Sequence, residues 1–149
     1  MSQTTIHTTA LSLGPGQPPL SAVLREEVAQ FLFTHLEEYG DDLPDIQACL
    51  DYAAERGGAV FTAREEGRLL GASITNRTGM SGFIPENILV YIAVHGDSRG
   101  KGVGKGLMEA ITGHLSGSIA LHVEPHNPAR ALYERYGFTN KYLEMRLTR

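Results

Sequence analysis

Apolar residues recur along this chain in two periods, and each change of period marks an element. Residues 5–12 alternate weakly, which predicts a first strand. Gly14-Pro15-Gly16-Gln17-Pro18-Pro19 then breaks the pattern as a turn or loop. Over residues 21–37, Leu24, Val28, Phe31, Leu32 and Leu36 fall on one stripe of a helix. Tyr39-Gly40-Asp41-Asp42 ends it. A second helix is expected from about Asp45 to Arg56, with Ile46, Leu50 and Ala53 inward and Gly57-Gly58 as its stop. Two strands follow, at about 59–64 and 68–76, around the hairpin turn Glu65-Glu66-Gly67. Residues 77–85 read as a loop in which Met80 and Phe83 would stand over a ligand. The segment 87–94 is apolar on both faces, as a central strand covered on both sides would be.

Helical period returns at 102–115, where Val103, Leu107, Ile111 and Leu115 recur every four residues. A strand is expected at 118–123. Asn127-Pro128 is a helix start, with Asn as the cap and Pro at the first helical position. Gly137 ends that short helix, and Phe138 to Leu147 supplies one or two final strand segments. The order β-α-α-β-β-β-α-β-α-β argues an α/β or α+β fold, one domain over 1–149, with helices on the faces of a sheet. A chain of 149 residues can bury an adequate core.

Charge and cysteine usage narrow the function classes. The formal net charge of -4 argues against nonspecific nucleic-acid binding. The single cysteine, Cys49, excludes an internal disulfide framework and a cysteine-rich metal site. It lies on the apolar side of the second helix and is expected to be a buried, inert thiol. Met-Ser-Gln-Thr-Thr, with no basic region and apolar stretch after it, is not expected to start a secretory signal. No run of about 20 apolar residues exists to span a membrane. The expected location is cytoplasmic, without a membrane.

The densest chemistry is the turn Arg99-Gly100-Lys101-Gly102-Val103-Gly104, between the strand closed by Val94 and the helix that follows. Glycines let a ligand approach the backbone, and the first turn of a helix offers free N–H groups to an anion. Arg99 and Lys101 add positive charge. A Walker loop needs Gly-Lys followed by Ser or Thr, but Lys105 is followed by Gly106. A dinucleotide fingerprint needs Gly-x-Gly-x-x-Gly, but Lys105 and Leu107 fall where the third glycine should be. A phosphate-binding module for another nucleotide is therefore disfavoured.

What remains is Arg99, Gly102 and Gly104 after a Val-ended strand, followed by Asn127, Ala131, Tyr133 and the pair Gly137-Phe138. This combination resembles the Gcn5-related N-acetyltransferase (GNAT) superfamily. The resemblance covers about 86–140. Upstream, only the order of elements agrees. It implies a mixed central sheet splayed between the strand ending at Val94 and the strand ending near Val123. Pantetheine of acetyl-CoA would lie in that gap against the backbone of Ile92, Ala93 and Val94. The pyrophosphate would sit on Gly100, Lys101, Gly102, Val103, Gly104 and Lys105, with Arg99 bracing the loop or touching phosphate. Asn127 would cap its helix and could touch cofactor. Many relatives carry proline and an aromatic or histidine where this chain has Gly96 and Ser98, so the turn before the loop should be looser.

The resemblance implies direct transfer of an acetyl group from acetyl-CoA to a primary amine, with no protein nucleophile and no metal. Tyr133 matches the general acid, with Tyr136 a weaker alternative. Its reference pKa near 10 keeps the phenol protonated at pH 7. Glu86 stands where relatives place a carboxylate that relays a proton through water. Tyr91 and His95 are further candidates for the base, and His122 and Glu124 end the splayed neighbouring strand, where one would face the acceptor channel. The spacing of His95, His122 and His126 resembles no standard metal site. Glu37, Glu38, Asp41, Asp42 and Asp45 crowd the connection between the first two helices. In the family this connection often borders the acceptor, and its charge would favour a cationic amine; solvated helix ends explain it equally well. A homodimer is compatible with these features. The alternative function is an acyl-CoA binding or regulatory module with weak catalysis.

Overall fold

The computed structural model describes residues 5–149. The reading of Met1 to Thr4 as no part of a signal lies outside those residues. Strands are β1 (Ile6–Leu13), β2 (Gly58–Glu65), β3 (Arg68–Arg77), β4 (Asn87–Val94) and β5 (Ile119–Leu121). Helices are α1 (Ala22–His35), α2 (Leu43–Arg56), α3 (Val103–His114) and α4 (Ala129–Arg135). Two short 3-10 turns, Glu37–Tyr39 and Gly96–Ser98, precede α2 and the glycine turn.

The five strands form one mixed sheet in sequence order, β1-β2-β3-β4-β5. The first three pairings are antiparallel and β4-β5 is parallel. Antiparallel neighbours can be joined by tight turns, as Glu66 and Gly67 do with φ of 51° and 80°. The parallel pair needs a crossover, which α3 supplies. Apolar residues of the sheet are buried on both faces. On one side α1 and α2 bring Val28, Leu32, Ile46 and Leu50 against Val60 and Ile74. On the other, α3 and α4 bring Val103, Leu107, Ile111 and Tyr133 against Phe61 and Leu89. Cys49 sits in the first layer, where burial pushes its thiol up to about 12. It is inert at neutral pH, as its place on the helix suggested.

The central strand is not regular. Ile74 pairs with Tyr91 but Thr75 pairs with Leu89, so Val90 is an extra residue on β4. A bulge of this kind puts two consecutive side chains on one face. Val90 and Tyr91 both pack toward α1 and α2, while Leu89 and Ile92 pack toward α3.

Element ends follow local chemistry. Ser21 caps α1, its hydroxyl accepting from the Leu24 amide at 3.1 Å. That helix stops at His35, two residues short of expectation, because Glu37 takes a φ of 54° that no helix continues. The second helix begins at Leu43, before the expected Asp45, with Asp42 at its cap position and Pro44 in the first turn. The fourth helix begins at Ala129 with Pro128 at its cap position, one residue later than expected, and Asn127 Oδ1 accepts from the Ala129 amide at 2.9 Å just before it. At the other end Gly137, at φ 92°, and Phe138 close the helix with bonds to Glu134 and Tyr133 carbonyls.

Two expectations fail in the last third. The fifth strand spans Ile119–Leu121, not 118–123, because β4 and β5 part after Leu89 and Leu121. Residues 138–147 form no strand. The segment alternates as a strand would, but it is not hydrogen-bonded to any edge, and residues 139–149 are all exposed.

Candidate functional site

The parting of β4 and β5 defines a wedge. Parallel pairing covers only Asn87–Leu89 against Ile119–Leu121. From Tyr91 to Val94 the β4 backbone pairs with β3 on one side and has no strand partner on the other, among the described residues. The His95 amide bonds back to the Leu70 carbonyl, so by alternation Ala93 faces β3, and Ile92 and Val94 carry the free backbone groups along this wall. Such groups are strong hydrogen-bonding sites for an extended ligand.

The glycine turn stands at the open end of this wall. His95 accepts from the Asp97 amide at 3.1 Å and starts the 3-10 turn of Gly96–Ser98. Gly100 and Gly102 then take φ of 86° and 82°, a left-handed conformation that glycine alone adopts without strain. A Cβ at either position would meet no atom within 4 Å. The space in front of both is open. Gly102 is the cap of α3 and offers no side chain to its first turn. The amides of Val103, Gly104 and Lys105 precede the first intrahelical bond of α3 and are free to meet an anion. Gly104 differs from the other two. A Cβ there would lie 3.2 Å from Leu132 and 3.8 Å from Val94, so this glycine lets α3 pack close to α4 and β4.

Arg99 and Lys101 are exposed at the turn. The Arg99 guanidinium lies 3.7 Å from Glu37, an exposed pair that braces the loop weakly. The ring of His95 lies 4.3 Å from that of His35, which in turn stacks at 4.5 Å on Phe31. His95 Nε2 also meets Arg68 Nη2 at 3.0 Å. Burial, and then the neighbouring His95, hold His35 below the usual histidine range. These contacts place His95 in a stack at the phosphate end of β4.

Tyr133 projects from α4 into the layer beneath the wedge and is 7% exposed. Burial first, and the Glu124 carboxylate second, push its phenol up to about 12. Glu124 follows β5 on the far wall. Its Oε2 is buried and has no hydrogen-bond partner. Burial, Glu38 and Glu124 also raise the phenol of Tyr39, whose ring stacks at 5.7 Å on that of His126. The Glu124 carboxylate thus raises two phenols, Tyr39 and Tyr133, that come from separate elements. Tyr136 donates its hydroxyl to the Lys105 carbonyl at 3.2 Å, which ties α4 to α3.

Glu86 lies elsewhere. It precedes β4 at the paired end, and its carboxylate fills the space beside Gly117 in the turn after α3. Eight strand residues separate it from the glycine turn, roughly 25 Å of extended chain. The opening of the wedge begins three residues away, roughly 10 Å. His122 is exposed. Among the described residues no three metal-binding side chains gather, and His95, His122 and His126 form no trio.

The acidic connection is partly committed to structure. Tyr91 donates its hydroxyl to Asp41 Oδ2 at 2.5 Å, and burial followed by that bond raises the phenol well above the usual tyrosine range. Glu37 faces Arg99, and Asp42 occupies the cap of α2. Beside the wedge, on the α1–α2 side of the sheet, a groove of about 230 Å³ is lined by Tyr52, Asn76, Thr78, Met80, Ile88 and Val90. Met80, expected to stand over a ligand, lines this groove. Tyr52 and Val90 carried no such expectation, because one comes from α2 and the other is turned to this face by the bulge. Phe83 stands in solvent, 82% exposed.

Comparison with known proteins bears on the family and the fold. The family model for the acetyltransferase (GNAT) domain matches residues 56–140. No curated protein matches the sequence. Among solved structures, the fold is similar to aminoglycoside N-acetyltransferase AAC(6')-Iy in complex with CoA, with a TM-score of 0.70 and 16% identity over 100% of this chain and 99% of that one. It is similar to the ribosomal-protein-alanine N-acetyltransferase of Brucella melitensis biovar Abortus 2308, with a TM-score of 0.67 and 20% identity over 97% and 99% of the two chains. A GNAT family acetyltransferase from Streptococcus pneumoniae TIGR4 gives a TM-score of 0.70 at 14% identity, over 97% and 98%. At these identities the structures speak for the fold, and the family model, which spans more than half of the chain, speaks for descent. The chain belongs to the GNAT acetyltransferase family.

Proposed function

We propose that the protein transfers an acetyl group from acetyl-CoA directly to a primary amine. The observation that carries this reading is the wedge between β4 and β5, with an open glycine cradle at its mouth and a buried phenol behind it. Pantetheine pairs with the free backbone of Ile92 and Val94 and passes Ala93 between them. The pyrophosphate rests on residues 100–105, near Arg99 and Lys101. Asn127, held by its bond to the Ala129 amide, borders the same cleft. The CoA in the AAC(6')-Iy complex supports the choice of cosubstrate. The cytoplasm is the expected location, and among the described residues no helix is long and apolar enough to cross a membrane.

Direct transfer needs a neutral amine, donors for the tetrahedral oxyanion and a proton for the departing thiolate. Tyr133 supplies the proton, since a phenol held near 12 stays protonated at every physiological pH. For the base we favour Glu124 over Glu86. Glu124 has an unpartnered buried oxygen and is the carboxylate that perturbs Tyr133. Glu86 would have to relay the proton through water from the closed end of β4. The acceptor enters along the groove of Tyr52, Asn76 and Val90. A cationic amine suits the remaining acidic groups, Glu38 and Asp45. Aminoglycosides and the alanine amines of proteins are the first acceptors to try, since structures of similar fold are named as aminoglycoside and ribosomal-protein-alanine N-acetyltransferases.

The deciding experiment is a thiol-release assay with acetyl-CoA against small amines, aminoglycosides and peptide N-termini. Turnover with any of them supports the reading. Tight acetyl-CoA binding without turnover would leave a binding or regulatory module instead. The place of Glu124 has its own test. The phenol of Tyr133 titrates near 12 and that of an unfolded chain near 10. Its neutral form therefore contributes stability in full below pH 10, and this is lost as pH rises toward 12. Glu124→Gln removes a negative neighbour, so the phenol absorbance assigned by difference from Tyr133→Phe should titrate at lower pH. An unmoved titration would place the carboxylate away from the acid.

A further inference from the structure

The groove beside the wedge is apolar along its length and charged at one end. Tyr52, Met80, Ile88 and Val90 give it its walls, and the first three are 40%, 44% and 36% exposed. Large apolar side chains grouped in water around one concave surface mark a place for an apolar ligand. Among the residues that line it, Arg77 is the only one with a charge.

Arg77 is the last residue of β3, and the chain around it sets its position. Its amide donates to the Gly57 carbonyl at 3.0 Å. Gly57 closes α2 at a φ of 113°. A Cβ there would lie 3.2 Å from Arg77 Cδ and 3.5 Å from Cγ. The arginine stem therefore runs across the space that this glycine leaves empty. Arg25 and Arg64, around the α1–α2 layer, are paired with Asp51 and Glu27. Among the described residues no carboxylate pairs with Arg77. A guanidinium stays charged at any physiological pH, and its planar fork matches a carboxylate.

The ladder sets the length of the groove. Arg77 stands opposite Asn87, and Val90 lies three residues further along β4. Three strand residues cover roughly 10 Å. The wedge opens beside Val90, so its mouth and Arg77 are about that far apart.

We propose that the acceptor is an amine joined through an apolar body to a carboxylate roughly 10 Å from the nitrogen, and that Arg77 binds this carboxylate. The proposal rests on the acetyl-transfer reading and names its substrate class. The amine enters the wedge, the body covers Tyr52, Met80 and Ile88, and the carboxylate ends on the guanidinium. Glu38 and Asp45 draw the opposite end, so the acceptor arrives as a zwitterion. An aminoglycoside has neither the apolar body nor the carboxylate. In the reaction the nitrogen bonds the acetyl carbon and the thioester C–S bond breaks. One proton passes from nitrogen to sulfur overall. The carboxylate takes no part in that exchange, and Arg77 sets specificity alone.

The test compares matched acceptors within one protein, so a general loss of activity cancels. ω-Aminooctanoate is long enough to span the groove, and octylamine is the same chain without the carboxylate. In thiol release from acetyl-CoA, wild type should prefer ω-aminooctanoate roughly tenfold or more in kcat/KM, the scale of one charged hydrogen bond. Arg77→Gln should bring the ratio close to one, and Arg77→Lys should restore part of it. ω-Aminobutanoate, too short to reach, should gain nothing over butylamine. A second readout needs no turnover. Calorimetry should show the same preference for ω-acetamidooctanoate, the expected product, over N-octylacetamide, again lost in Arg77→Gln. If no amine releases thiol but this binding preference holds, the transfer reading fails and the Arg77 site stands. If octylamine turns over and the wild-type ratio is close to one in both readouts, transfer stands and the proposal is overturned. A preference that survives Arg77→Gln overturns it too. So does the absence of turnover together with no binding of the acetamido acid.

Discussion

Replacing Tyr133 by phenylalanine is expected to slow acyl transfer roughly 100-fold or more, the range lost with a general acid. Phenylalanine keeps the ring that packs beside Phe138 at a centroid distance of 6.0 Å, so the fold and the cleft should persist. Acetyl-CoA affinity should stay within about threefold of wild type, less than 1 kcal/mol. The rate has to be read in a single turnover, because slow product release hides a chemical defect. Tyr136 is not expected to substitute, since its hydroxyl is bonded to the Lys105 carbonyl. A wild-type single-turnover rate for the Tyr133→Phe protein would return Tyr133 to a packing role.

Gly102→Val is expected to weaken acetyl-CoA binding well over tenfold, more than 1.4 kcal/mol. Two effects act together. The Cβ and its branches would project into the open space where phosphate is to sit, and valine resists the φ of 82°. Gly102→Asn separates them, because asparagine tolerates the left-handed region while still filling the cradle. If calorimetry finds that Asn binds like glycine and Val does not, the loss is conformational and the phosphate belongs elsewhere. If both lose affinity, the cradle holds it. Equal affinity for all three would remove the glycine turn from the site.

Features written in contiguous residues were legible. The glycine turn, the Asn127-Pro128 helix start and the Gly137 stop each depend on backbone chemistry within a few positions, and each stands at or within one residue of its expected place. The bulge at Val90 was hidden for a physical reason. Leu89, Val90, Tyr91 and Ile92 are all apolar, so a slip of one residue leaves no trace in the alternation. The bond between Tyr91 and Asp41 joins residues fifty positions apart, and no local pattern carries it. It turns part of an acidic run that looked like an acceptor lure into a tether for the α1–α2 connection. Gly104 read as a third phosphate glycine, but its missing Cβ makes room for Leu132. Only the packing of α4 on α3 could reveal that. The expected strand over 138–147 shows the converse case: alternation states what a segment needs, and not whether its own chain provides it.

The short ladder between β4 and β5 has a dynamic consequence. Three residue pairs hold this parallel junction, against seven or eight in each of the other pairings. Opening it costs far less than melting the sheet, so the two halves of the molecule breathe along this seam on a scale set by local rather than global stability. Any molecule that bridges both sides adds its contacts only to the closed form. By linkage, ligand affinity and seam rigidity then rise together, and a distant change that loosens the seam is felt as weaker binding without a single contact to the ligand being altered.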